Sequence, residues 1–195
     1  MFLTKITVSK TDVIKRRLTD MYQWKNLIWK AFSSKERDFL FRLEEQDSNY
    51  TVLILSGQRP SVLSFGSWEL KIIPNNFYDQ PYYQFSIRVN CAIKKACFEN
   101  GEKKRQGIRV PASDVYEWFK KKGEVNGFKL RSVRTDRINK YISYIGEQKL
   151  THDGADLGGV LEVTDKMAFK NAAINGLGPA KGFGFGLFLL KGVSL

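Results

Sequence analysis

Cysteine is almost missing from this chain: Cys91 and Cys97 are the only two in 195 residues. Two thiols make neither a disulfide framework nor a metal site, and none is expected. Histidine occurs once, as His152, in a polar Thr-His-Asp-Gly turn that reads as a surface position. No apolar run is long enough to cross a bilayer, the longest being residues 182–190. The opening Met1-Phe-Leu-Thr-Lys5 lacks the apolar stretch of a signal peptide, so a cytoplasmic protein without membrane contact is expected. There is no Gly-Lys-Ser/Thr opening a helix and no GxGxxG following a strand, and no small-molecule cofactor is expected. Acidic residues are the minority, 20 against 32 Lys+Arg, which leaves a net charge of +12. A surplus of that size attracts polyanions. RNA or DNA leads, an acidic protein follows, and an anionic membrane surface comes third. Charge alone also leaves open a basic domain with no nucleic-acid role.

What is present is core material, with 43% hydrophobic and 13% aromatic residues, enough for one domain or two small ones. Phe2, Thr4, Ile6 and Val8 share one face of a strand. Residues 11–32 carry a helical period. Phe39, Phe41 and Leu43 alternate again, and residues 50–55 form a second β-rich run after an Asp47-Ser48-Asn49 turn. Residues 57–81 are punctuated by Gly and Pro and leave room for a short helix and a strand. Tyr83, Phe85, Ile87, Val89, Cys91 and Ile93 then define the clearest strand. Beyond the basic segment 94–109, Pro111-Ala-Ser-Asp114 introduces a helix that Gly123 ends. Strands follow at 141–145 and 157–163, then a helix to Asn175 capped by Thr164-Asp165, and a last strand at 183–190. The order is the split βαβ pattern written twice: an α+β chain of two tandem ferredoxin-like (RRM-like, βαββαβ) domains. The expected domains are 1–94 and 95–195.

The glycine-rich C-terminal segment is the most distinctive. As a strand it would point Phe183, Phe185, Leu187 and Leu189 one way and leave Gly182, Gly184 and Gly186 as a bare face. The preceding loop, with Gly178 and Lys181, offers N–H groups and a cation that suit a phosphate. Tight packing of a helix on the sheet explains the glycines equally well. The run Gly176-Leu-Gly-Pro-Ala-Lys-Gly-Phe-Gly-Phe-Gly-Leu resembles the C-terminal motif of the CasE-type subunit of type I-E CRISPR Cascade complexes. Collinear stretches resemble the same family: Met1-Phe-Leu-Thr-Lys5, Asp20-Met-Tyr-Gln23 with Trp29, Arg37-Asp-Phe-Leu-Phe41, Ser56-Gly-Gln-Arg-Pro60, Phe85-Ser-Ile-Arg-Val-Asn90, Arg109-Val-Pro111 and Gly158-Gly-Val-Leu161. The likeness is weak over 63–81 and 120–156.

The resemblance implies a metal-independent endoribonuclease that binds the repeat hairpin of precursor CRISPR RNA. It would cut at the 3′ base of the stem by 2′-OH attack, leaving a 5′-OH and a 2′,3′-cyclic phosphate or 3′-phosphate. It would then stay on the mature guide RNA beside other Cascade subunits. The family's catalytic histidine lies three residues after a tyrosine; that tyrosine matches Tyr22, and the histidine position is Lys25. At 100° per residue Lys25 falls in an apolar stripe of Ile14, Leu18, Met21, Ile28 and Phe32, as its only charge. Either Lys25 works, as a base or as a cation at the phosphorane, or it snorkels to water and the protein binds RNA with slow cutting or none. Two basic clusters complete the expectation. Lys103, Lys104 and Arg105, with Lys94, Lys95 and Arg109, form a basic loop able to track an RNA stem. Arg131, Arg134, Arg137 and Lys140 recur every three residues and would share a face on a helix or turn. Each cluster alone is an ordinary solvated face; net charge and resemblance together assign both, with Gly178, Lys181, Gly182 and Gly184, to RNA.

Overall fold

The structure is a computed structural model describing residues 1–34, 36–99 and 102–194, with backbone alone over 93–99 and 102–107. Strand β1 (Phe2–Ser9) runs into helix α1 (Lys10–Lys15), and helix α2 (Met21–Trp29) follows. The expected single helix over 11–32 is thus two. Arg17 takes a left-handed φ of 54°. Its N–H bonds to the Ile14 carbonyl and that of Leu18 to the Val13 carbonyl, both at 3.0 Å. This is the Schellman ending, here with Arg where Gly is usual, and buried Val13 and Leu18 belong to the same core.

Strands β2 (Phe39–Glu45), β3 (Asn49–Ser56) and β4 (Ser67–Ile72) complete an antiparallel sheet in the order β2-β3-β1-β4. That is the ferredoxin order, although no helix spans residues 57–66. Strand β5 (Tyr82–Asn90) opens the second sheet. Hairpin β6 (Ala92–Glu99) and β7 (Glu102–Arg109), helix α3 (Val115–Val125), strands β8 (Phe128–Ile145) and β9 (Gln148–Val163), helix α4 (Lys166–Asn175) and strand β10 (Phe188–Gly192) follow, in the order β10-β5-β9-β8. The fold is α+β, two ferredoxin-like domains in tandem.

The division expected near residue 94 is corrected by pairing. Strand β5 bonds to β9 and β10, so the chain changes sheet between Ile72 and Tyr82. Helix α3 also continues through Gly123, where any Cβ would lie 2.6 Å from the Phe128 carbonyl oxygen, so that glycine serves packing instead of ending the helix.

One face of the first sheet packs Ile6, Val8, Phe41, Val52 and Ile54 under Trp24 and Ile28 of α2. Leu40 and Leu55, on its other face, belong to the second domain's core with Ala173 and Leu177. The domains therefore share apolar surface. Beside that seam lies a buried polar network. Arg88 donates Nε to Asp156 at 2.7 Å, Nη2 to the same carboxylate at 3.0 Å, and Nη1 to the Leu43 carbonyl at 2.7 Å. Glu44 lies 3.3 Å from Arg88 and also pairs with Arg42. Burial alone would lower the Arg88 pKa; the bond to Asp156, with Tyr141 and Glu44, more than offsets it and holds the guanidinium above its usual value.

Candidate active site

Helix α2 begins where Asp20 caps it: the carboxylate Oδ1 accepts from the N–H groups of Tyr22 at 2.8 Å and Gln23 at 3.1 Å. Gln23 reaches back to accept from the Thr19 N–H at 2.7 Å, so the first turn is closed from both sides. Trp24 and Ile28 then face the sheet, 2% and 0% exposed. Lys25 is half-buried beside them. Its Nζ lies 4.2 Å from the centre of the Tyr22 ring and 5.8 Å from that of Phe183. The apolar stripe expected around it is not intact, because the break after α1 leaves Ile14 76% exposed.

Phe183 belongs to the glycine-rich segment, which is not the strand expected from its alternation. Residues 176–187 form a loop containing a 3₁₀ turn, Lys181–Phe183, and pairing begins only at Phe188. Gly184 and Gly186 hold φ of 82° and 84°, and a Cβ on Gly186 would lie 2.7 Å from the Leu177 carbonyl oxygen. Ala180 is left-handed as well, at φ 60°. Alternating right- and left-handed residues is the backbone form of anion-binding nests. Gly178 and Gly182 leave their outer side open: a Cβ on Gly178 would touch nothing within 4 Å, and one on Gly182 would meet only Lys25 Cδ, at 3.9 Å. Burial, and then the neighbouring Arg37, hold the Lys181 ammonium below its usual pKa. Arg37 is itself lowered by burial and donates to the Phe39 carbonyl at 3.3 Å. Neither cation has a carboxylate partner among the described residues.

His152 is corrected from surface to site. It lies on β9, half-buried, with its ring 4.7 Å from that of Phe183 and 5.7 Å from that of Phe185. Burial pushes its pKa below 6.5, with Asp153 opposing. The unfolded chain therefore takes up a proton on this group more readily than the folded one. Its contribution to stability is complete above the unfolded pKa and is lost as pH falls toward the folded one. His152→Phe is expected to lose less melting temperature than wild type between pH 7.5 and pH 5.5, read by parallel thermal melts; equal losses would show that the ring's packing is indifferent to its charge.

The basic clusters separate. Arg109 reaches Asp153 at 3.4 Å. Lys103, Lys104 and Arg105 fall on β7, and their side chains lie outside the described residues. Arg131, Arg134 and Arg137 stand on strand β8, not on a helix or turn. Register shifts between Leu130 and Ser132 and between Thr135 and Arg137 make three residues do the work of two. The three therefore share the sheet face of Gly158 and Asp156, opposite the core. Arg131 is held by Glu162 at 2.6 Å and Arg134 by Asp136 at 2.7 Å. Arg137 lines an interdomain cleft of about 550 Å³ with Asp20, Trp24, Glu44, Tyr50 and Tyr141. Sequence reasoning missed Phe183 as a neighbour of Lys25, His152 as a neighbour of Phe183, and Arg37 as a neighbour of Lys181. Only Arg37 carried a signal, inside the Arg37-Asp-Phe-Leu-Phe41 stretch.

Known structures repeat this fold over nearly the whole chain. The CRISPR endoribonuclease Cse3 bound to a 19-nucleotide RNA superposes with a TM-score of 0.79 at 22% identity, covering 98% of this chain and 100% of that one. Cas6e from Escherichia coli K-12 gives 0.76 at 22%, covering 99% and 100%. A chain of a CRISPR RNA-guided surveillance complex gives 0.75 at 21%, again covering 99% and 100%. At such identities the likeness establishes the fold. No curated protein matches the sequence. Membership comes from the sequence pattern of the CRISPR-associated protein family, which matches residues 1–191: the chain belongs to that family, and its fold is that of the CasE-type proteins Cse3 and Cas6e.

Proposed function

We propose that this protein binds the repeat hairpin of CRISPR transcripts and cleaves the precursor at the 3′ base of the stem, then remains on the guide RNA as a Cascade subunit. The observation that carries the reading is the meeting of Lys25 and Tyr22 with the open backbone of Gly182 and Phe183. Helix α2 and the loop come from opposite ends of the chain and converge on one spot, with Lys181 and Arg37 adjacent. Attack of a 2′-OH on the neighbouring phosphate needs a proton acceptor, positive charge at the phosphorane and a proton for the leaving 5′-oxygen. Lys25 takes the 2′-OH proton as base or, acting instead as a cation with Lys181 and Arg37 at the phosphorane, leaves that proton to water. The Tyr22 phenol donates to the leaving 5′-oxygen. The relatives bound to RNA and in a surveillance complex support the same substrate and assembly.

A second reading rests on the Lys25–Tyr22 contact. An ammonium seated on an aromatic ring stabilises charge without accepting a proton. That favours a slow or silent hairpin-binding subunit, with Lys25 standing where the family usually has histidine.

Incubating the protein with a repeat hairpin in EDTA tests the reading. Cleavage to a 5′-OH fragment and a 2′,3′-cyclic phosphate or 3′-phosphate is expected; an uncut but tightly bound hairpin supports the binder. Affinity is expected to fall with a log–log salt slope of roughly −0.7 to −0.9 per phosphate contacted. Salt-insensitive binding, or no preference over duplex DNA, would count against both.

A further inference from the structure

The cap of helix α2 has a second role. Asp20 uses Oδ1 for the helix, accepting from Tyr22 and Gln23, while its Oδ2 accepts from the backbone N–H of Tyr144 at 3.2 Å. Tyr144 lies on β8, the edge strand of the second sheet, so one carboxylate joins a helix start in the first domain to a strand edge in the second. The hairpin of β8 and β9 extends past the end of β5, whose pairing with β9 stops at Asn90 and Gly154, while β8 and β9 stay paired out to Ile145 and Gln148. That overhanging stretch touches both halves of the candidate site. On one side His152 packs on Phe183, and Tyr141 meets the Phe185 ring at 5.3 Å. On the other, Tyr144 binds the cap of the helix that carries Tyr22 and Lys25.

We propose that Asp20 is a positioning residue, whose bridge from α2 to the Tyr144 N–H fixes Tyr22 and Lys25 against the glycine-rich loop. The inference rests on the site described under the proposed function. Among the described residues this is the one hydrogen bond between α2 with its cap and β8. Without it, the cap still holds the first turn of the helix, yet the helix is free to shift against the hairpin on which the loop leans. Displacements of about 1 Å at reacting groups cost up to ~10²-fold in rate.

The two jobs of Asp20 separate by substitution. Asp20→Asn keeps an oxygen for the cap, a position where Asn and Asp serve equally, but turns an amide donor toward the Tyr144 N–H. Tyr144→Pro leaves the cap whole and removes the donor, which an edge strand tolerates where the N–H points out of the sheet. Each variant is expected to slow single-turnover hairpin cleavage by ~10-fold or more with hairpin Kd within ~2-fold. The double variant should be no slower than either single one, because both cut the same link. A purely structural cap would instead leave both Asp20→Asn and Tyr144→Pro at the wild-type rate, which overturns the proposal. The Lys25 side-chain resonances give a readout independent of cleavage, since the Tyr22 and Phe183 rings shift them by position. If wild type leaves hairpins uncut, the cleavage reading fails on its own, and the bridge stands if both variants and their combination move the Lys25 resonances alike. Unmoved Lys25 resonances in Asp20→Asn overturn it.

Discussion

Lys25→Ala is expected to lower single-turnover cleavage of a repeat hairpin by ~10²-fold or more while hairpin affinity changes little. On the proposed reading affinity is spread over the rest of the basic surface, whereas Lys25 sits where helix and loop meet. Loss of a cation there removes stabilisation of the phosphorane, a species present only in the transition state, so rate suffers and binding does not. Lys25→His is expected to restore or raise cleavage, because imidazole titrates near neutral pH and exchanges protons on both sides of the reaction. If wild type is silent and Lys25→His cuts, the chain is a binder on a nuclease scaffold. Equal rates for all three proteins would place the catalytic group elsewhere.

The second large effect concerns stability. Asp156→Ala leaves Arg88, 4% exposed, charged and without its closest partner at the seam between domains. Removing one member of a buried ion pair costs about 3–5 kcal/mol. Glu44, at 3.3 Å, and the Leu43 carbonyl still meet the guanidinium, which places the loss toward the lower end of that range. For a chain of this size a melting temperature lower by roughly 6–12 °C is expected, at about 2–4 °C per kcal/mol. Replacing both partners, as in Arg88→Met with Asp156→Leu, removes the stranded charge and is expected to cost less than Asp156→Ala alone. A double variant less stable than the single one would show that the network, and not the buried charge, carries the stability.

Much of the fold was legible because alternation is a direct imprint of burial. Residues 2–8, 39–43 and 83–89 are strands where their apolar positions say so, the turn at 47–49 joins β2 to β3, and Asp165 caps α4 as its position suggests. Alternation tells which side of a strand is buried but not which sheet accepts it, so β5 was assigned to the wrong domain. The Phe/Gly repeat at 182–187 mimics a strand, and only the left-handed φ at Gly184 and Gly186 shows that it is a loop. The helix break was hidden because Arg17 occupies a position that glycine normally marks. Two β-bulges gave Arg131, Arg134 and Arg137 a helix-like spacing on an extended strand. At the site, Tyr22 and Lys25 came from the family resemblance, which places them three residues apart on the first-domain helix. Phe183 reaches Lys25, and His152 reaches Phe183, through chain crossings between distant segments, which no local pattern encodes.

The most direct test of the cleavage chemistry is a repeat hairpin carrying a single 2′-deoxynucleotide immediately 5′ of the scissile phosphate. With the 2′-OH as nucleophile, the protein is expected to bind this RNA with the affinity of the all-ribose hairpin and leave it intact, while the all-ribose hairpin is cut in EDTA. Cleavage of the deoxy-substituted hairpin at an undiminished rate would contradict the account, since the nucleophile would then be water.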